Sequence, residues 1–227
     1  MGLLVYDLER FRWRPPVGIP VRRIGVVLLV ITGFLVLMHL FPAEWSGTIH
    51  NRFDLDAESN VPTWFATVLL FCVSLTAFGV FIVRGRHASH ERGLGFWAVF
   101  AGVYCFLSAD EGGRLHEACM LLTHVHWLWI YAAFAAAFFA LCLWYFLRVN
   151  RDRQVRNLVL GGMILYALGG MGCEAVGFFL SLTPAQVECE VLAEEALEML
   201  GSIAVLSGCL VALNRSGANV DDSTSAP

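Results

Sequence analysis

A chain of 227 residues that is 58% hydrophobic and 15% charged, with a mean hydropathy of +0.66, is too apolar for an ordinary soluble domain, in which about 25% of residues are charged. Its natural partner is the lipid bilayer. The net charge of -4, with every one of the 15 basic residues an arginine, gives no reason to expect a nucleic-acid partner.

Arg10, Arg12, Arg14, Arg22 and Arg23 precede the first apolar run, and no small-residue cleavage site follows it. Residues 1–23 therefore read as a retained, basic cytoplasmic segment and not as a signal peptide. A crossing of about 30 Å of hydrocarbon takes roughly 17 to 25 mostly apolar residues. Runs of that kind extend from Ile24 to Phe41, Pro62 to Val83, Leu94 to Glu111, Trp127 to Leu147, Asn157 to Leu182 and Val191 to Leu213. The predicted fold is all-α: one bundle of six transmembrane helices over 24–213, followed by a disordered cytoplasmic tail over 214–227 that is rich in Ser, Ala and Asp.

Arginine placement orients the bundle, because loops that stay in the cytoplasm keep basic residues near helix ends. The N-terminus, Arg84 to Arg92, Arg148 to Arg156 and Arg215 form one set, whereas only Arg52 and Arg114 fall in the other. Both termini are thus predicted to be cytoplasmic. The acids sort the opposite way, with Asp54, Asp56, Asp110, Glu111, Glu117, Glu174 and Glu188 to Glu198 all in outer loops or outer halves of spans.

Two spans carry acids where lipid tolerates them poorly. Sixteen residues run from Leu94 to Ala109 before Asp110, and fifteen follow Glu198 up to Leu213, so the acidic ends lie at the membrane edge or within it. Charged groups there face a bundle interior or an aqueous cavity. As one continuous helix, the third span would place Asp110, Arg114, Glu117 and His124 on one stripe, with Glu111 and His116 pointing elsewhere. Gly112-Gly113 can break that helix. Glu190, Glu194 and Glu198 repeat at i,i+4, a spacing at which like charges repel. Arg114 alone cannot balance Asp110, Glu111, Glu117, Glu174, Glu194, Glu195 and Glu198.

Either some of these acids are neutral or a cation sits among them. The metal reading takes Glu111, His116, Glu117, Glu174, Glu194, Glu195, Glu198 and His39 as ligands of a divalent ion, with Zn, Fe or Mn suiting carboxylate plus imidazole. Asp110, Glu111 and Glu117 are the candidate catalytic acids. No Glu-x-x-His pair, His-Glu-x-x-His motif, Gly-x-Ser-x-Gly elbow or phosphate loop is present. Ser108 has the position of a serine in zinc-dependent membrane hydrolases but lacks a His-x-x-x-His span beside it, and a helix-end hydrogen bond is its plainer use. Cys119 and Cys189 fall in outer segments, where either a disulfide or two free thiols fit. Gly161-Gly162 and Gly169-Gly170 suit close helix packing.

Three functions fit this pattern. One is a metal-dependent membrane hydrolase or oxidase acting on a lipid or small molecule. The second is a proton or divalent-cation transporter, and the third a non-catalytic subunit that binds a membrane-protein partner or a second copy of itself.

The stretches Phe53-Asp54-Leu55-Asp56-Ala57-Glu58-Ser59-Asn60-Val61-Pro62-Thr63-Trp64-Phe65 and Leu107-Ser108-Ala109-Asp110-Glu111, the latter with His116-Glu117, resemble an uncharacterised bacterial family of small multi-pass membrane proteins. The resemblance implies the bacterial inner membrane and no activity, and arginine placement puts the polar site on the periplasmic or extracellular side. Pro62 suits the first turn of the second span, and the loop before it has the length to fold over the outer site as a lid.

Overall fold

The computed structural model describes residues 18–41, 46–57, 59–87 and 93–224, without the side chains of 86–87, 117, 119–120, 123 and 219–224. Among these residues every regular element is helical. The order is α1 (Val21–His39), α2 (Gly47–Phe53), α3 (Val61–His87), α4 (Leu94–Gly113), α5 (Leu115–Thr123), α6 (Trp127–Arg148), α7 (Arg153–Ala167), a π-helical stretch (Leu168–Cys173), α8 (Glu174–Phe179) and α9 (Pro184–Thr224).

Side-chain bonds fix the up-and-down arrangement. At one end the Asn214 amide accepts from Ile19 N at 3.1 Å and donates to Ile19 O at 3.0 Å. Arg84 Nε donates to Ser216 Oγ at 3.0 Å, and Trp97 Nε1 and Arg84 Nη1 both donate to Tyr145 Oη, at 2.8 and 3.3 Å. Arg215 pairs with Asp152, which caps α7 by accepting from Gln154 N and Val155 N. The starts of α1 and α7 and the end of α3 therefore meet one short segment of α9, and the start of α4 and the end of α6 join them through Arg84 and Tyr145. Under them Phe96 stacks on Tyr145 with ring centroids 3.7 Å apart, and Trp97, Phe100 and Phe146 complete a buried aromatic core.

At the other, acidic end, Ser108 Oγ donates to Thr67 O at 2.9 Å and ties α4 to α3. The bond runs between two helices, where a helix-end bond was the plainer expectation for Ser108.

Five stretches are long and apolar enough to cross a membrane: Val21–His39, Val61–Gly85, Trp127–Arg148, Arg153–Phe179 and Pro184–Ala218. The expectation of six is corrected here. The stretch from Leu94 does fold as a helix packed on α3, but Asp110 and Glu111 stand in its last turns and lower the hydropathy of any window long enough to cross. The last helix also differs from expectation. It starts at Pro184 and continues to Thr224, so the tail expected to be disordered from Asn214 is helical through that residue. At 1.5 Å per residue α9 is about 60 Å long, roughly twice the hydrocarbon thickness.

α7 and α9 pack along a seam of glycine. A Cβ on Gly162 would lie 2.6 Å from Gly201 O, and one on Gly201 would lie 2.5 Å from Tyr166 N. Backbones this close leave no room for a side chain, which is how helices gain dispersion contacts where no hydrophobic effect drives them together.

Candidate functional site

The site begins where α4 stops. Gly112 and Gly113 end its last turn, and Arg114 takes a left-handed conformation (φ 54°), its N–H bonding back to Asp110 O at 2.7 Å. The chain leaves in a new direction as α5, so the single stripe expected through Asp110, Arg114, Glu117 and His124 is not formed. His116 turns back instead. Its backbone N–H donates to Asp110 Oδ1 at 2.7 Å, and its ring Nδ1 lies 3.2 Å from the same oxygen. The Tyr131 hydroxyl from α6 is a third donor to Asp110, which is itself buried. An acid held this way fixes the orientation and tautomer of the imidazole. Trp127 and Tyr131 enclose the His116 ring, with centroids 5.2 and 6.4 Å away.

The opposite wall comes from α9, and the π-helical stretch is what lets it approach. A Cβ on Gly169 would stand 2.7 Å from Glu194 O and 2.9 Å from Glu198 Cγ, and one on Gly170 would collide with Glu198 Oε1. The expected close packing at Gly162, Gly169 and Gly170 is therefore present. A π-helical turn inside an α-helix is a frequent feature of functional sites, and this one makes room for two carboxylate-bearing turns of the neighbouring helix.

Between the walls lies a cavity of about 910 Å³. Asp110, Glu111, His116, Glu174, Glu194, Glu195 and Glu198 all line it, so most of the sequence-predicted site residues converge. Counting Asp56, seven carboxylates line it against one arginine, Arg114, among the described residues. Its remaining surface is largely apolar and aromatic, with Tyr104, Phe138 and Phe139 among its walls.

His39 is elsewhere. It is buried at the end of α1, where Nδ1 accepts from Leu55 N at 3.1 Å, and Asp54 and Glu188 lie 3.4 and 3.9 Å from its ring nitrogens. It is not among the residues that line the cavity, and its acceptor nitrogen holds the loop of Leu55. That loop supplies Leu55 and Asp56 to the cavity, and the first turn of α3 supplies Thr63. The Glu117 side chain lies outside the described residues, as does that of Cys119, so the expected disulfide with the exposed Cys189 falls outside them too.

Among the described residues, no three His, Cys, Asp or Glu side chains stand close enough together to hold a metal ion. The described acids are spread over the walls of a chamber.

Three lining residues escaped the sequence reading. His126 caps α6, its Nδ1 accepting from Leu128 N at 3.4 Å, and turns Nε2 to Glu174 Oε1 at 4.0 Å. Tyr131 lay hidden in an alanine and aromatic run that reads as helix packing. Tyr166 stands in electrostatic range of Glu198 and Glu111. The one signal available was the place of His126 directly before the apolar run that starts at Trp127, which is a cap position.

The fold and the cavity define a helical bundle suited to a membrane, with a carboxylate-lined chamber in one half. Residues 23–213 match a family described as a domain of unknown function, DUF8692, and the chain belongs to that family. No curated protein and no solved structure matches the chain.

Proposed function

We propose that this is a bacterial inner-membrane protein that binds a small, positively charged organic molecule in the acid-lined cavity, with that cavity in the periplasmic half of the bundle. The orientation is supported by the meeting of Arg84 and Arg215 with the helix ends opposite the cavity, as the positive-inside bias requires. Ile19 and Asn214 meet at that same end, so both ends of the bundle are then cytoplasmic and α4, tied at Trp97 and Ser108 to opposite ends, crosses together with the five more apolar helices.

The observation that carries the ligand class is the charge balance of a chamber of this size. About 910 Å³ is in the range of small-molecule sites and far larger than a single ion needs. Glu194 and Glu198 line it and have no hydrogen-bond or ion-pair partner among the described residues. An acid so placed in a low-dielectric setting either holds a proton or needs a cation beside it, and a chamber of this size has room for an organic one. Aromatic faces at Trp127 and Tyr131 add attraction for an ammonium group.

Equilibrium binding of radiolabelled ethylamine to the purified protein in nanodiscs tests this reading. Saturable binding that Glu194→Gln or Glu198→Gln weakens at least tenfold, with no binding of acetate, is the expected result. Absence of saturable binding, or indifference to both substitutions, refutes it.

A divalent metal is the second reading, favoured by the Asp110–His116 bond, since acids hold metal-bound imidazoles in this way. In that reading the dyad also supplies a base for a hydrolytic reaction. Stoichiometric Zn, Fe or Mn in the purified protein supports it, and a metal-free protein that binds ethylamine rejects it.

A further inference from the structure

The helices on the open side of the cavity diverge in a particular way. At the arginine end α4 and α6 are closed by the stack of Phe96 on Tyr145. Toward the acidic end the aromatic contacts between them are longer, Phe106 to Tyr131 at 6.3 Å and Phe106 to Phe134 at 6.4 Å between centroids, with the Tyr131 to Asp110 hydrogen bond beyond them. A groove of about 630 Å³ runs there between the two helices, with Val99, Gly102 and Phe106 on one side and Ile130 on the other. Its lining is apolar almost throughout. Val99 and Phe106 are half exposed and turn outward, so in a membrane the groove opens to lipid.

The groove adjoins the acid-lined cavity. Val103, Tyr131 and Phe134 line both, and Tyr131 also donates its hydroxyl to Asp110. One space is thus acidic and the adjoining one apolar, with a shared wall of three side chains. Length agrees with the bilayer. From Asp110 to Val99 is eleven residues of helix, or about 16 Å, close to half of a hydrocarbon layer about 30 Å thick. A chain hanging from a headgroup at the level of Asp110 spans one leaflet.

We infer that the ligand is a lipid-like amine: its ammonium headgroup enters the cavity beside Glu194 and Glu198, and its hydrocarbon chain lies in the groove between α4 and α6. This rests on the cation-binding reading of the cavity and adds the chain. Charge selects the occupant, because a neutral or anionic lipid of equal length fits the groove but leaves the carboxylates without a counter-charge. The molecule enters sideways from the outer leaflet, with no need to pass through water.

The test uses the full chain in phosphatidylcholine nanodiscs and hexadecylamine carrying a diazirine in mid-chain. After irradiation, adducts are expected at residues 99–106 and 130–134. Excess hexadecylamine removes them and hexadecanol at the same concentration does not. Gly102 faces open space, with nothing within 4 Å of a Cβ placed there, so Gly102→Trp fills the groove and reduces labelling at least tenfold. Val99→Trp serves the same purpose if the first variant does not fold. Labelling spread evenly over all lipid-facing helices, or displaced equally by hexadecanol, overturns the inference. Ethylamine separates the two claims: if it binds saturably while hexadecylamine leaves the groove unlabelled, the chain assignment fails and the cavity reading stands. If neither amine binds, both fail.

Discussion

Replacing Gly201 by alanine adds one methyl group at the closest approach of α7 and α9. That Cβ would lie 2.5 Å from Tyr166 N, 2.6 Å from Gly162 O and 2.9 Å from Tyr166 Cα. All three are backbone atoms and cannot rotate away. To restore an ordinary contact near 3.5 Å the two helices must part by about 1 Å along this seam. Overpacking of this kind costs about 1–3 kcal/mol, and part of it is lost dispersion between Gly169-Gly170 and the turn holding Glu194 and Glu198. Gly161→Ala is the matched control, because nothing lies within 4 Å of a Cβ there and alanine favours helix by up to about 1 kcal/mol over glycine. In nanodiscs, at roughly 2–4 °C per kcal/mol for a chain of this size, Gly201→Ala is expected to lower Tm by about 2–12 °C and to weaken ethylamine binding. Gly161→Ala leaves Tm level or raises it. Equal melting of the Gly201→Ala and parent proteins refutes the seam.

Asp110→Ala removes the acceptor of the His116 N–H and ring, and leaving such donors unmet costs about 1–3 kcal/mol. Asp110→Asn keeps one accepting oxygen and restores part of that loss, and thermal melts of the two variants side by side check the order. Tyr145→Phe leaves the indole N–H of the fully buried Trp97 without its acceptor, for a similar loss that melting detects far from the cavity. His39→Ala takes away the acceptor of the Leu55 N–H, so hydrogen exchange at that amide should quicken roughly 5- to 150-fold, the equivalent of 1–3 kcal/mol. An unchanged Leu55 amide would show that the loop is held by something else.

Much of the bundle could be read directly from residue order. Apolar runs located the helices, arginine placement separated one end from the other, and the paired glycines marked where helices touch, because each of these signals is local. The meeting of Asp110 and Glu111 with Glu194 to Glu198 was also legible, since acids that lipid rejects must find a common polar interior. The count of crossing helices was less secure. Two acids in the last turns of α4 take it below the apolarity of its neighbours, although Ser108 and Trp97 tie it to both ends of the bundle.

The residues alone determined an apolar, all-helical chain with most of its arginines at one end and most of its carboxylates at the other, because hydropathy and charge are carried by single side chains. Tertiary structure decided the chemistry of the site that opened at Asp110. Which imidazole reaches that acid depends on the left-handed turn at Arg114, and dihedral choices at a non-glycine residue leave little trace in sequence. His39 stands outside the cavity lining and holds a backbone N–H sixteen residues away. That the described acids line a chamber follows from the spacing of α4, α6 and α9, which only their packing against one another sets.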